Sequence, residues 1–129
     1  MSLAPGESPP SDASALLARM LKKPLYLMIR TFTAPERVPE LLAEHLAYML
    51  KLEAEGVLFA SGPTHDASER STGSVTVLRA DSFDAARALA ELDPFVREGI
   101  LTFALHRWTL MEGSLQVRVS LGTGRFDLP

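Results

Sequence analysis

Four short segments rich in β-forming residues, separated by two helix-like segments, constrain the fold of this chain more than any other feature. They follow one another in the order strand, helix, strand, strand, helix, strand. The strands are predicted at residues 25–33, 57–60, 73–80 and 100–110, and the helices at about 36–55 and at 83–92. This order predicts an α+β fold, a ferredoxin-like β-α-β-β-α-β protomer in which two helices cover one face of a four-stranded sheet.

Prolines and capping residues set the expected boundaries of these elements. Pro39, close to the start of the first helix, predicts a separate or irregular first turn. Asp81 or Ser82 is expected to cap the second helix. The run Ser61-Gly62-Pro63 is expected to end the second strand, and residues 64–72, which are mostly polar, to form an exposed loop.

The two ends of the chain differ from its centre. Residues 1–23 are predicted to be a flexible tail with a short helix from about Ala13, and residues 24–113 to form the folded domain. Residues 114–129 form an extension whose segment 115–121 predicts a fifth strand, at a sheet edge or exchanged with a partner. The first residues carry acids and prolines but no basic region before an apolar stretch, which argues against a signal peptide.

Composition excludes several classes of function. The chain has 129 residues and a net charge of −3, so it lacks the basic excess that non-specific nucleic-acid binding needs. It has no cysteine, which excludes disulfides and thiolate chemistry. No apolar run approaches the roughly 20 residues that cross a bilayer. We expect a cytoplasmic protein with no nucleic-acid or membrane partner.

Both faces of the first strand are largely apolar. Leu25, Leu27 and Ile29 alternate with Tyr26, Met28 and Arg30. Because the two helices can cover only one face of the sheet, the other face must be buried elsewhere. A second protomer packing sheet to sheet is the simplest cover, so a homodimer is expected.

His45 is the chemically unusual position. On a helical wheel it falls within an apolar stripe that includes Leu42, Leu46, Met49 and Leu52. A histidine aimed at a sheet needs a hydrogen-bond partner. It could be a core residue satisfied by a backbone carbonyl, or it could lie at the floor of a cleft and act as base and then acid.

Asp93 is the carboxylate best placed to orient such a histidine, although an aspartate before a proline is also a common turn or cap residue. The hydroxyl of Ser61 and the backbone at Gly62 are candidates for substrate binding. Tyr26 and His106 are further candidates if they lie on the cleft face, while His65 is expected to be solvated. Metal-ligand spacings and phosphate-binding glycine motifs are missing, so neither a metal nor a cofactor is expected.

The order and spacing of several short motifs resemble the YciI-like (YCII-related) family. The motifs are His45-Leu46-Ala47-Tyr48 with Leu52, the run from Glu55 to Pro63, Asp93-Pro94-Phe95 with Gly99, Arg107-Trp108, and Glu112-Gly113. The resemblance implies a dimeric α+β barrel of ferredoxin-like protomers and an active site built from a histidine and an aspartate, here His45 and Asp93. Related proteins include muconolactone isomerases and a dehydrochlorinase of chlorinated hydroxyquinones. The basic residue often found just before the histidine is missing, since Leu42 and Ala43 stand there.

Two functions remain open from sequence. In the first, His45 and Asp93 form an acid–base pair for isomerisation or elimination on a small cyclic or carbonyl substrate. His45→Asn and Asp93→Asn would then abolish turnover and leave folding intact. In the second, the chain is a non-catalytic dimeric module that binds a small molecule or a partner, and the same pair is a buried structural hydrogen bond.

Overall fold

The computed structural model describes Gly6 and residues 12–128. The chain forms two units, a central unit, Lys23–Thr109, and a terminal unit made of the described residues before Lys23 with residues 110–128. The predicted β-α-β-β-α-β order is confirmed in the central unit, with two short additional helical segments. Its elements are β1 (Lys23–Phe32), a 3-10 turn (Pro35–Arg37), α2 (Val38–Ala54), β2 (Leu58–His65), β3 (Ser71–Leu78), α3 (Phe83–Glu91), α4 (Pro94–Arg97) and β4 (Leu101–Leu110).

The four strands of this unit form one sheet in the order β2-β3-β1-β4. β3 pairs antiparallel with both neighbours, and its register places Ser74 opposite Arg30 of β1 and Thr76 opposite Met28. On the other side of β3, Ser61 of β2 stands opposite Thr76. Because side chains alternate along a strand, these residues share one face of the sheet.

The second strand is longer than the sequence predicts. β2 continues through Ser61-Gly62-Pro63 to His65, and the expected loop shrinks to the residues between β2 and β3. The prediction that this run ends the strand is wrong because β2 is an edge strand, where a proline need not donate to a neighbour. The register of β2 against β3 shifts between Leu58 and Ala60 and again near its end.

Helix boundaries follow the sequence closely. The 3-10 turn at Pro35–Arg37 precedes α2, so the separate first turn predicted from Pro39 is confirmed. The Ser82 side chain caps α3 by accepting from the backbone N–H of Ala85. The main core joins β1 and β3 to these helices, with Met28 and Leu78 packing on Leu52 and Ala90.

The opposite face of the sheet carries exposed apolar side chains. Ile29 is 48% exposed and Trp108 is 38% exposed. Met28 of β1 and Phe103 of β4 face the core between the sheet and the helices. Because side chains alternate along a strand, Ile29 and Trp108 lie on the other face. An apolar sheet face open to water is a surface that association can bury.

The terminal unit contains α1 (Ala13–Ala18) and a two-stranded hairpin of β5 (Arg118–Ser120) and β6 (Arg125–Asp127). Asp12 caps α1 by accepting from the N–H groups of Ser14 and Ala15. The predicted strand at 115–121 is shorter than expected and pairs with β6, a strand that the sequence analysis did not predict. Of the predicted tail, residues 1–5 and 7–11 lie outside the described part of the chain. No helix among the described residues is long and apolar enough to cross a membrane.

Gly73 is the glycine on which the sheet depends. Its φ is +143°, and a Cβ there would collide with the backbone carbonyl of Arg30 on β1. A side chain at this position would therefore separate β1 from β3 next to the Arg30–Ser74 pair.

We expect Gly73→Ala to destabilise the protein by roughly 1–3 kcal/mol or more, because strain at the unfavourable φ adds to the collision. Chemical denaturation measures the loss. Gly62→Ala is the matched control in the neighbouring strand, since its Cβ would meet nothing within 4 Å. Equal stability of the two variants would contradict this account of β1–β3 contact.

Candidate functional site

Asp93 stands at the N-terminus of α4 and holds three hydrogen-bond donors. Its Oδ1 accepts from the backbone N–H of Phe95 at 3.0 Å, which makes it the N-cap of this helix. The same oxygen lies 2.8 Å from Nδ1 of His45, and Oδ2 accepts from Nη1 of Arg30 at 3.0 Å. Both sequence interpretations of Asp93, the local cap and the partner of His45, therefore apply to one carboxylate.

The ring of His45 is fixed on two sides. Nδ1 is bound to Asp93, and the imidazole stacks on the ring of Phe95 with centroids 4.1 Å apart and planes 6° from parallel. His45 is 6% exposed, and Asp93 is 2% exposed. A carboxylate only accepts hydrogen bonds, so Nδ1 must carry the proton that forms this contact.

Arg30 is the buried cation that balances this carboxylate. It is 5% exposed, and its Nε donates to Oγ of Ser74 at 2.7 Å while Nη1 binds Asp93. Burial lowers the pKa of the Arg30 guanidinium, and the adjacent Asp93 carboxylate opposes that shift. An arginine remains charged under either influence, so β1 contributes a permanent positive charge behind the His45–Asp93 pair.

The pKa of Tyr48, one turn after His45 on α2, is also shifted by burial and by nearby charges. Burial raises the pKa of its phenol, and the negative charges of Asp93 and Glu55 act in the same direction. The hydroxyl therefore stays protonated and donates to the backbone carbonyl of Leu89 at 2.7 Å.

The second ring nitrogen of His45 is accessible. It makes no hydrogen bond to any residue that the structure describes, and every fully buried side-chain nitrogen or oxygen in that part of the chain has a partner. It follows that Nε2 keeps some accessible surface. With Nδ1 protonated, Nε2 of the neutral ring is an acceptor and can take a proton.

An open cleft of about 460 Å³ runs between α2 and the sheet, and His45 lines it. Its walls are mainly apolar, while His45, Arg30, Ser61 and Ser74 supply most of its polar groups. The apolar lining comes from Phe32, Val38, Leu42, Leu46, Met49, Leu50, Leu58 and Phe95. Leu42 and Leu46 are exposed here although the helical wheel places them in the buried stripe, because that part of the stripe faces the cleft. A mostly apolar cleft with a few polar groups at one place is typical of a small-molecule site.

The predicted substrate-binding residues separate into two groups. Ser61 and Gly62 line the cleft, and Oγ of Ser61 lies 2.8 Å from Oγ1 of Thr76. Tyr26 does not line it, since Tyr26 is a core residue that packs edge-on against Phe83 of α3, with ring centroids 5.1 Å apart.

His106 does not line the cleft either. It is exposed on β4 and lies on the opposite face from Phe103 and Leu105, which pack against the core. Neither Tyr26 nor His106 is therefore brought to His45. No group of three or more histidine, aspartate or glutamate side chains suited to a metal ion occurs in the described part of the chain.

Sequence reasoning missed Arg30 and Ser74. The signal for Arg30 was present, because an arginine two residues after Met28 lies on the strand face that packs on the helices. A buried arginine needs a carboxylate partner. Ser74 carried no comparable signal, since its contact depends on the register of β1 against β3.

Comparison with known proteins places this geometry in a family. Residues 22–109 match the YCII-related domain. This chain belongs to the YCII-related family. It is 33% identical over 85 residues to the uncharacterized protein YjpA of Bacillus subtilis (strain 168), covering 66% of this chain and 94% of that protein.

A solved structure with a related fold is 5-chloro-2-hydroxyhydroquinone dehydrochlorinase (TftG) from Burkholderia phenoliruptrix AC1100, in complex with 2,5-dihydroxybenzoquinone. The TM-score is 0.56 at 29% identity, and the match covers 65% of this chain and 92% of that one. The mixed α+β fold with an antiparallel sheet is thus shared with a small-molecule enzyme of known structure.

Arg30 changes what is expected when Asp93 is removed. Asp93→Ala leaves the guanidinium buried without its counterion, so we predict a loss of about 3–5 kcal/mol in the free energy of unfolding. For Asp93→Asn, which is predicted from sequence to leave folding intact, the loss of negative charge beside Arg30 predicts a loss of stability as well. His45→Asn should cost only about 1 kcal/mol, because the asparagine amide can still donate to Asp93.

Chemical denaturation of the single variants and of Arg30→Met/Asp93→Ala measures this coupling. The double variant should lose less than the sum of the single losses, since it leaves no unpaired charge. Asp81→Ala, at an exposed aspartate, is the control. Additive losses would show that the Arg30–Asp93 contact does not matter for stability.

Proposed function

We propose that this protein is a cofactor-independent enzyme that uses His45 as the acid–base group in isomerisation or elimination on a small cyclic or carbonyl substrate. The observation that carries this proposal is the state of the imidazole. Nδ1 is held by Asp93, and Nε2 is the ring nitrogen left accessible in a residue that lines the cleft. A fixed acceptor beside an apolar cavity is the arrangement that proton abstraction needs.

In this proposal His45 is the catalytic residue and Asp93 positions it. Nε2 takes a proton from the substrate, and the Asp93 carboxylate stabilises the imidazolium that results. In an isomerisation the same nitrogen returns the proton to another carbon. In an elimination the electron pair of the C–H or phenolic O–H bond that loses its proton moves into the new π system, and a leaving group such as halide departs with its bonding pair. Ser61 and Gly62 would contact the substrate from β2.

The dehydrochlorinase supports the elimination chemistry and suggests probes. Its name gives 5-chloro-2-hydroxyhydroquinone as substrate, and its structure contains 2,5-dihydroxybenzoquinone. Both are flat rings that carry oxygen atoms, compatible in size with a cleft of about 460 Å³ lined mainly by apolar side chains. We use them as probes of this chain and not as its assigned substrates.

A non-catalytic binding module is the second candidate, and the buried network favours it. The network consists of four buried residues, each of which is hydrogen-bonded to at least one of the others: Arg30, Asp93, His45 and Ser74. A polar cluster with a purely structural role requires the same arrangement. In this case the cleft would bind a ligand and leave it unchanged.

We also propose that the protein is a homodimer that forms an α+β barrel in the cytoplasm. The exposed apolar side chains opposite the helices, Ile29 and Trp108 among them, support a sheet-to-sheet contact. Such a dimer would leave the cleft accessible, because the cleft lies on the helical side of the sheet.

Chloride release from 5-chloro-2-hydroxyhydroquinone tests the enzyme proposal. We expect turnover by the wild type and a loss of at least about 10²-fold in kcat in His45→Asn, which keeps a donor toward Asp93 but has no base at the Nε2 position. His65→Asn, at an exposed histidine of β2 that does not line the cleft, should retain full activity.

Binding of 2,5-dihydroxybenzoquinone, followed by its absorbance, separates the two candidates. Binding without chloride release would favour the module. Full activity in His45→Asn would overturn the assigned role of His45.

A further inference from the structure

The hydroxyl of Ser74 has a fixed hydrogen-bond direction. Nε of Arg30 lies 2.7 Å from its oxygen, and a guanidinium can only donate. The Ser74 oxygen is therefore the acceptor in this contact, and its own proton must be offered to a different group.

No acceptor for that proton occurs within the described part of the chain. Ser74 makes no other side-chain hydrogen bond, it is 6% exposed, and it lines the cleft together with His45. The hydroxyl is thus a donor without a protein acceptor at the wall of the cavity. Ser61 differs, because in its contact with Thr76 either oxygen can be the donor.

Ser74 and His45 are positioned by the same ion pair. Arg30 binds Ser74 through Nε and Asp93 through Nη1, and Asp93 binds His45. One pair of charges therefore sets Ser74 as a donor and Nε2 of His45 as an acceptor. A site with one fixed acceptor and one fixed donor can remove a proton and stabilise the negative charge that develops.

We propose that Ser74 is a catalytic residue that donates its hydroxyl to the substrate oxygen on which negative charge develops, and that Arg30 is the residue that positions it. This inference rests on the function proposed above. It narrows the substrate class to carbonyl compounds with an acidic C–H beside the carbonyl, and to phenols that react through a keto tautomer.

The proposed step balances in atoms and electrons. The proton of the carbon next to the carbonyl moves to Nε2, the C–H pair becomes the C=C bond of an enolate, and the carbonyl π pair moves to the oxygen that Ser74 binds. In an elimination from such a ketone that oxygen pair then reforms the carbonyl, the C=C pair shifts to form the new double bond, and halide leaves with its bonding pair. A chlorinated trihydroxybenzene reacts through its keto tautomer, in which the chlorine-bearing ring carbon has taken a proton. A phenol oxygen then gives its proton to Nε2, the O–H pair forms a carbonyl, the ring C=C pair shifts, and chloride leaves with its bonding pair. No oxidant, reductant or second substrate is needed.

Steady-state kinetics of Ser74 variants with 5-chloro-2-hydroxyhydroquinone tests the proposal. Ser74→Ala should lower kcat by about 10²–10³-fold with little change in KM, because the donor acts on charge that exists only in the transition state. Ser74→Thr keeps the hydroxyl and should restore most of the activity, and Ser74→Cys, a weaker donor, should fall between them. Thr72→Ala, on the same strand, is the control.

The outcomes distinguish this inference from the proposed function. If His45→Asn is inactive while Ser74→Ala keeps the wild-type kcat, the role of Ser74 is overturned and the enzyme proposal stands. If Ser74→Ala does not fold, the comparison of Ser74→Thr with Ser74→Cys tests the role instead. Equal kcat values for these two variants would overturn the role of Ser74.

Failure of the wild type to turn over the chlorinated substrate would count against the proposed function. In that case the role of Ser74 is tested by infrared spectroscopy of bound 2,5-dihydroxybenzoquinone. A carbonyl band lowered in the wild type and raised in Ser74→Ala, or in Ser74→Cys if the alanine variant does not fold, would support the donor. An unchanged band, or no binding of this quinone, would overturn it.

Discussion

The Asp93 carboxylate is the contact on which the rest of the site depends. It joins three elements, because it caps α4 through Phe95, binds His45 of α2 and neutralises Arg30 of β1. A buried carboxylate needs this number of donors, since burying an unpaired charge is expensive. The same interaction therefore holds a helix against the sheet and fixes the groups that face the cleft.

The Asp93–Arg30 ion pair determines which of the neighbouring groups donate hydrogen bonds and which accept them. Asp93 makes Nδ1 of His45 a donor, which leaves Nε2 as an acceptor, and Arg30 makes the oxygen of Ser74 an acceptor, which leaves its proton free. The cleft is thus polar in one region and apolar elsewhere. A substrate can bury its ring against the apolar side chains of α2 while its reacting atoms contact the acceptor on His45 and the donor on Ser74.

Much of this arrangement could be predicted from sequence, and the limits are physical. The β-α-β-β-α-β order and the pairing of His45 with Asp93 followed from periodicity and from family motifs. The length of β2 did not, because only the edge position of the strand makes Pro63 acceptable. His106 was misplaced because strand alternation gives the face of a residue only once the sheet is oriented. Tyr26 lies on the same face of β1 as Arg30, but Phe83 of α3 packs on it there, a contact that strand alternation does not predict. Ser74 depended on a register that no single strand encodes.

The measurement that tests the account most directly is the tautomer of His45, read from long-range proton–nitrogen NMR spectra at a pH where the ring is neutral, with His45→Asn for assignment. A proton on Nδ1 and a bare Nε2 are expected, unlike the exposed His65, which is free to favour the other form. A proton on Nε2 would contradict this assignment, because Nδ1 would then not donate to Asp93 and His45 would offer no acceptor to the cleft.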